Sequence, residues 1–154
     1  MRGYYIPIAA GLLLIGSTFL PWVTLGDEAL RGFPSVAALW IGGLGAIAVA
    51  LAVLSLVTRK NSRHPLLVVG LAALGIMVLS WRVLPRSVGE RAQSVSQANA
   101  IVDGTEVQKT PDALVGIGIY LATFASAVIT LFGLTIVVKR VAQPYAVASK
   151  DDDV

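Results

Sequence analysis

Four apolar runs, each closed by prolines, glycines or charges, take up most of this chain and set its architecture. The second is the clearest: from Pro34 to Thr58 no charged residue interrupts it. A run of that length crosses the hydrocarbon core of a bilayer, which is about 30 Å thick. The first run spans 4–21, with Arg2 before it and Pro21-Trp22 at its exit. Pro7 falls in its opening turns, where a missing N–H costs little. The third spans 65–84, carries Trp81 and Arg82 near its far end, and is expected to stop at Pro85. The fourth spans 113–138. The pattern predicts an all-α fold, an integral membrane four-helix bundle filling one domain over residues 1–140. Residues 141–154 follow as a tail that is expected to be mobile.

The polar stretches between the runs differ in kind. The first, VTLGDEALRGFPS, holds Asp27, Glu28 and Arg31 among the turn signals Gly26 and Gly32-Phe33-Pro34. The second is a short basic turn, Arg59-Lys60-Asn61-Ser62-Arg63-His64-Pro65. The third, the outer loop 85–112, is far longer than the roughly 2–8 residues that link most bundle helices. Its first half sets Val88, Ala92, Val95 and Val102 near one face, with Asn99 breaking the stripe. That spacing predicts a short extracytoplasmic helix between spans three and four, ending at Asp103-Gly104.

Two runs carry small residues four apart. Ala38, Gly42, Ala46 and Ala50 mark the second, and Gly118, Ala122, Ser126 and Thr130 mark the fourth. Small side chains let backbones approach closely in lipid, where packing rather than water expulsion drives association. The matching ladders predict that helices two and four meet face to face in an internal seam.

Composition fits a membrane chain, with 56% hydrophobic and 14% charged residues, against about 25% charged in soluble domains. The net charge of +3 is small and scattered, and gives no footprint for nucleic acid. There is no cysteine, and His64 is the one histidine, so neither a disulfide nor a metal site is expected. The first run has the outline of a signal peptide. No A-x-A-like site follows Leu20, so it is read as a retained first span. Four spans place both termini on one side, together with Arg2, Arg59, Lys60, Arg63, Lys139, Arg140 and Lys150. Arg31, Arg82, Arg86, Arg91 and Lys109 fall on the other. Basic residues near span ends favour the cytoplasm, which predicts a multi-pass plasma (inner) membrane protein with both termini cytoplasmic.

Candidate chemistry is sparse. The spans hold no Asp, Glu, Lys or His away from their ends, the groups that mark ion pathways and coupled transport. Their hydroxyls, among them Ser17, Ser55, Ser80 and Thr123, are read as helix-packing groups. Asp27 and Glu28 are too few for a calcium loop. No nucleophile, base and orienting group stand together, so no catalytic residue, enzyme activity or cofactor is expected. What remains are contact residues. Arg82 and Arg86 at the outer edge, and Arg59, Lys60 and Arg63 in the basic turn, suit a partner or lipid headgroups. Near anionic lipid each basic residue is worth about 1 kcal/mol.

The box Gly16-Ser17-Thr18-Phe19-Leu20-Pro21-Trp22, an L-P-W exit from the first helix, resembles that of many small four-helix membrane proteins of actinobacteria. The run Val115-Gly116-Ile117-Gly118-Ile119-Tyr120-Leu121 is similar to the start of their last helix. The layout also resembles claudin-like proteins, but the paired cysteines and W-G-L-W pattern of their first outer loop are missing. The actinobacterial resemblance implies a non-enzymatic accessory or stabilising subunit of a larger membrane complex, such as an Mce-type lipid importer or a respiratory assembly. Its expected partners are that complex and membrane lipids. The competing expectation is a self-associating homo-oligomeric pore or carrier for small apolar molecules.

Overall fold

The structure, a computed structural model, describes residues 2–59, 62–104, 106–107 and 109–141, and only the backbone of residues 2 and 136–141. Lys60 and the tail beyond 141 lie outside the described residues. A single 3-10 turn, Arg2–Tyr4, leads into α1 (Tyr5–Ser17). Three longer helices follow: α2 (Val36–Thr58), α3 (Arg63–Asp103) and α4 (Ile117–Val141). Each of these three is long and apolar enough to cross a membrane.

α1 is the exception. Its 13 residues reach only about 20 Å at ~1.5 Å per residue, less than the run 4–21 promised. Ser17 Oγ donates to Leu14 O at 2.6 Å, and Thr18 Oγ1 donates to Ile15 O at 2.7 Å. Hydroxyls that engage nearby carbonyls in this way favour bends and ends over helix interiors. Pro21 then brings no N–H with which to continue the helix.

The all-α expectation needs one addition, a three-stranded sheet at one end of the bundle. β1 (Pro21–Leu25) lies between β2 (Glu28–Arg31) and β3 (Ala113–Val115), antiparallel to both. The turn signal at Gly26 closes a two-residue hairpin with Asp27, and Gly26 takes a φ of 58°. That left-handed conformation suits glycine and the twist of a tight hairpin. β3 takes the first residues expected in span four, and Gly116 N–H donates to Trp22 O at 2.7 Å before α4 begins.

Helix packing follows a four-cornered plan. α1 packs on α2 and α4, and α3 packs on the same two helices. α2 and α4 therefore stand at opposite corners, and the seam expected between them does not form. On α2 the buried positions are Ala38, Ile41, Gly45, Ala48, Ala52 and Ser55. Their alternating steps of three and four residues keep one stripe facing its neighbours, as in coiled coils. A step of four instead rotates by about 40° on a helix of ~3.6 residues per turn. The α2 ladder accordingly turns away: Ala38 is buried, Gly42 half-buried, and Ala46 and Ala50 exposed. On α4 the whole ladder is buried. Thr130 meets Gly70 of α3, and Gly118 meets Ser17, Pro21 and Trp22.

Pro85 does not stop α3, which is 41 residues long in all, about 60 Å at ~1.5 Å per residue. A proline inside a helix removes one hydrogen bond and costs about 3 kcal/mol. The following turns supply compensation. Arg86 Nε pairs with Glu90 Oε1 at 2.9 Å, and the i→i+4 backbone ladder resumes beyond the proline. Residues 86–100 are also rich in Glu, Arg, Ala and Gln, which favour helix. The separate short helix expected in the outer loop is thus the continuation of the third span. Its end falls where expected, at Gly104, with φ 62° and its N–H donating to Ala100 O.

Candidate functional site

The part of α3 beyond Pro85, from Arg86 to Asp103, projects about 27 Å at ~1.5 Å per residue. Residues 106–107 and 109–112 return along it towards β3. Pro85, Gly89 and Gln93 share a groove of ≈ 430 Å³ with Lys109, Thr110 and Pro111. Higher up, Ser96, Asn99 and Ala100 share one of ≈ 790 Å³ with Glu106, Val107 and Pro111. Ala100 alone on this projection is fully buried; Val88 and Ala92 are half-buried. Val95 and Val102 are not on the covered face, so the four-residue stripe read from the sequence divides.

The tip is the unusual part. Ile101 and Val102 are each 82% exposed, with Val107 beside the same turn 57% exposed. Between Arg91 and Lys109 the only charged residues are Asp103 and Glu106. Helix carbonyls at a C-terminus add a further partial negative charge, about half a unit. An apolar pair therefore stands beside two carboxylates, with Lys109 the one basic residue lining the adjoining groove. The signal available in the sequence was the adjacency of Ile101-Val102 to the helix-ending Asp103-Gly104. The stripe read from the sequence took Val102 as a covered position and left out Ile101, whereas both are exposed.

Lower down, the charge reverses. Arg82, Arg86 and Arg91 are all exposed near the foot of the projection. Arg86 is held by Glu90, but with the two side chains 81% and 66% exposed such a helix pair adds only about 0.3–0.5 kcal/mol. Next to Arg82, Trp81 meets Tyr120 of α4 edge to face at 4.8 Å.

The foot of the projection is anchored by Trp22. Its indole is 2% exposed and its Nε1–H donates to Ser17 O at 2.9 Å. A Cβ placed at Gly32 or Gly118 would stand 2.5 Å from that ring. The indole thus fills the space where α1, the hairpin and α4 converge.

At the opposite end of the bundle, Arg59 is exposed with a left-handed φ of 57°, and His64 is exposed. Arg63 is half-buried, its guanidinium 5.5 Å from the centre of the Phe132 ring. Tyr4 meets the same ring edge to face at 5.2 Å, and its hydroxyl accepts from Ser62 N–H at 3.3 Å. Arg63 is tied into packing, while Arg59 is free to reach solvent or headgroups. Among the described residues, no three His, Asp or Glu side chains converge in a metal-holding group. No protein-family model, curated protein or solved structure matches the chain.

Proposed function

We propose that this protein is a non-enzymatic accessory subunit of a larger membrane complex, which it joins through the projecting end of α3. The observation that supports this reading most is the exposed pair Ile101 and Val102 at the projection's tip. Apolar patches held in water mark interaction surfaces. In the same reading the four helices sit in the plasma membrane with both chain ends cytoplasmic and the sheet and projection outside. α1, with its 13 residues, is accommodated by local thinning of the bilayer, at a fraction of a kcal/mol per Å or so. Lipid-import and respiratory assemblies are complexes of the kind the resemblance implies. Arg59 near one face, and Arg82 and Arg86 near the other, would meet lipid headgroups.

The test is purification in mild detergent from cells expressing the chain at native level. A stoichiometric complex with a foreign protein is expected, and replacing Ser87 to Gln108 by a short linker should abolish its recovery while leaving insertion intact. A clean homo-oligomer of this chain alone would refute the reading. It would favour instead the pore or carrier, for which the exposed Ala46 and Ala50 on α2 offer a close-packing face.

A further inference from the structure

The tip of α3 has a chemistry that selects its partner, and this inference rests on the accessory-subunit reading. We infer that the tip docks a protein surface with an apolar depression rimmed by lysine or arginine. Ile101 and Val102, each 82% exposed, are the knob. β-branched side chains lose little rotamer freedom when seated, so they suit a preformed pocket.

The rim follows from charge. Although the chain carries net +3, the two carboxylates Asp103 and Glu106 outnumber Lys109, the one lysine that lines the same groove, so the tip is net acidic. Both carboxylates are exposed. The same turn holds the C-terminal carbonyls of α3, of which Ala100 O is taken by Gly104 N–H. The last carbonyls of a helix face outward as acceptors and attract cations. An apolar centre with an acidic border is complementary to an apolar centre with a basic border. An acidic or wholly apolar partner would leave that border desolvated and unpaired, which is costly. The sign change along α3 adds orientation: its foot carries Arg82, Arg86 and Arg91, so a basic partner is repelled from the foot and guided to the tip.

The inference is tested with defined probes that need no native partner. The full chain is placed in zwitterionic nanodiscs and titrated with two fluorescent helical peptides sharing one leucine face. One is flanked by lysine and the other by glutamate, and empty discs are subtracted. The lysine peptide should bind at least tenfold tighter, with affinity falling as salt rises. Asp103→Asn with Glu106→Gln should erase that preference. Ile101→Ser with Val102→Ser should weaken the lysine peptide about tenfold, with helical circular dichroism unchanged. Equal or tighter binding of the glutamate peptide, or indifference to both double variants, overturns the inference. Val102-dependent capture of zwitterionic vesicles also overturns it, by assigning the tip to a lipid surface. Failure of the accessory reading shows separately, as absence of a foreign subunit in the purified complex.

Discussion

The closest helix contact gives the sharpest test of the packing. At Gly133 of α4 an added Cβ would lie 2.6 Å from Leu67 Cα and 2.7 Å from Leu67 N. One turn away, a Cβ on Gly70 would lie 2.6 Å from Thr130 Oγ1 and 2.7 Å from Thr130 N. Carbon atoms rest at about 3.5–4.0 Å, and the neighbour at Gly133 is backbone, which cannot swing aside. Gly133→Ala must therefore part α3 and α4 by roughly 1 Å, and overpacking of this kind costs about 1–3 kcal/mol. Gly70→Ala should cost a similar amount. Because one displacement relieves both sites, the double variant should fall short of the sum of the singles. Gly75, on the same helix with nothing within 4 Å of its added Cβ, is the control. Gly75→Ala should be neutral or stabilising by up to about 1 kcal/mol, through helix propensity alone. The assay is reversible SDS unfolding in mixed micelles, followed by circular dichroism. Wild-type stability in Gly133→Ala, or equal damage from Gly75→Ala, would refute the seam.

Trp22→Phe should lower stability by about 0.5–1.5 kcal/mol in the same assay, because the indole donor to Ser17 O is lost while Leu20 N–H still reaches that carbonyl at 3.2 Å; an unchanged unfolding curve would count against the plug. Ser55 Oγ is buried and has no hydrogen-bond partner among the described residues, so Ser55→Ala should be neutral or stabilising by up to about 1 kcal/mol. A loss above that range would reveal a partner. Ala48 is fully buried while Ala46, two residues earlier, is exposed. Ala48→Leu should cost about 1–3 kcal/mol and Ala46→Leu less than about 0.5 kcal/mol; the reverse order would restore the four-residue ladder as the internal face of α2.

The helices were legible in the sequence because a long uncharged run has few other fates. What escaped depended on residues far apart in the chain. The ladders on α2 and α4 looked alike, yet a four-residue period alone cannot say which neighbour lies opposite. Burial follows the 3–4 stripe from Ala38 to Ser55, and each helix packs on the ones next to it in the chain, leaving α2 and α4 apart. Pro85 read as a stop because a proline usually ends a helix. The turns after it were strong enough in helix formers, and partly enough covered by residues 106–107 and 109–112, to carry the helix through. The sheet was invisible for a different reason. Strands of five, four and three residues are too short to show alternation, and β3 pairs with a strand nearly ninety positions earlier.

The two boxes that carry the family resemblance turn out to be a single physical unit. Leu20 O accepts from Gly32 N–H at 3.1 Å, Pro21 opens β1, and Trp22 O accepts from Gly116 N–H at 2.7 Å. Trp22 can occupy its place only if position 118 lacks a Cβ, and the Pro21 carbonyl demands the same of position 116. The L-P-W exit therefore requires both glycines of Val115-Gly116-Ile117-Gly118: Gly116 admits the Pro21 backbone, and Gly118 admits the indole together with the Pro21 and Ser17 carbonyls. Together they clamp the end of α1 to the start of α4, while β3 bears on α3 at the foot of the projection. In this chain the clamp fixes where α3 leaves the bundle. The exposed residues Ile101, Val102, Asp103 and Glu106 lie beyond it, in neither box. Under the proposed accessory role the two parts are separable: variants at the tip should alter docking while the clamp, and with it the start of the projection, stays intact.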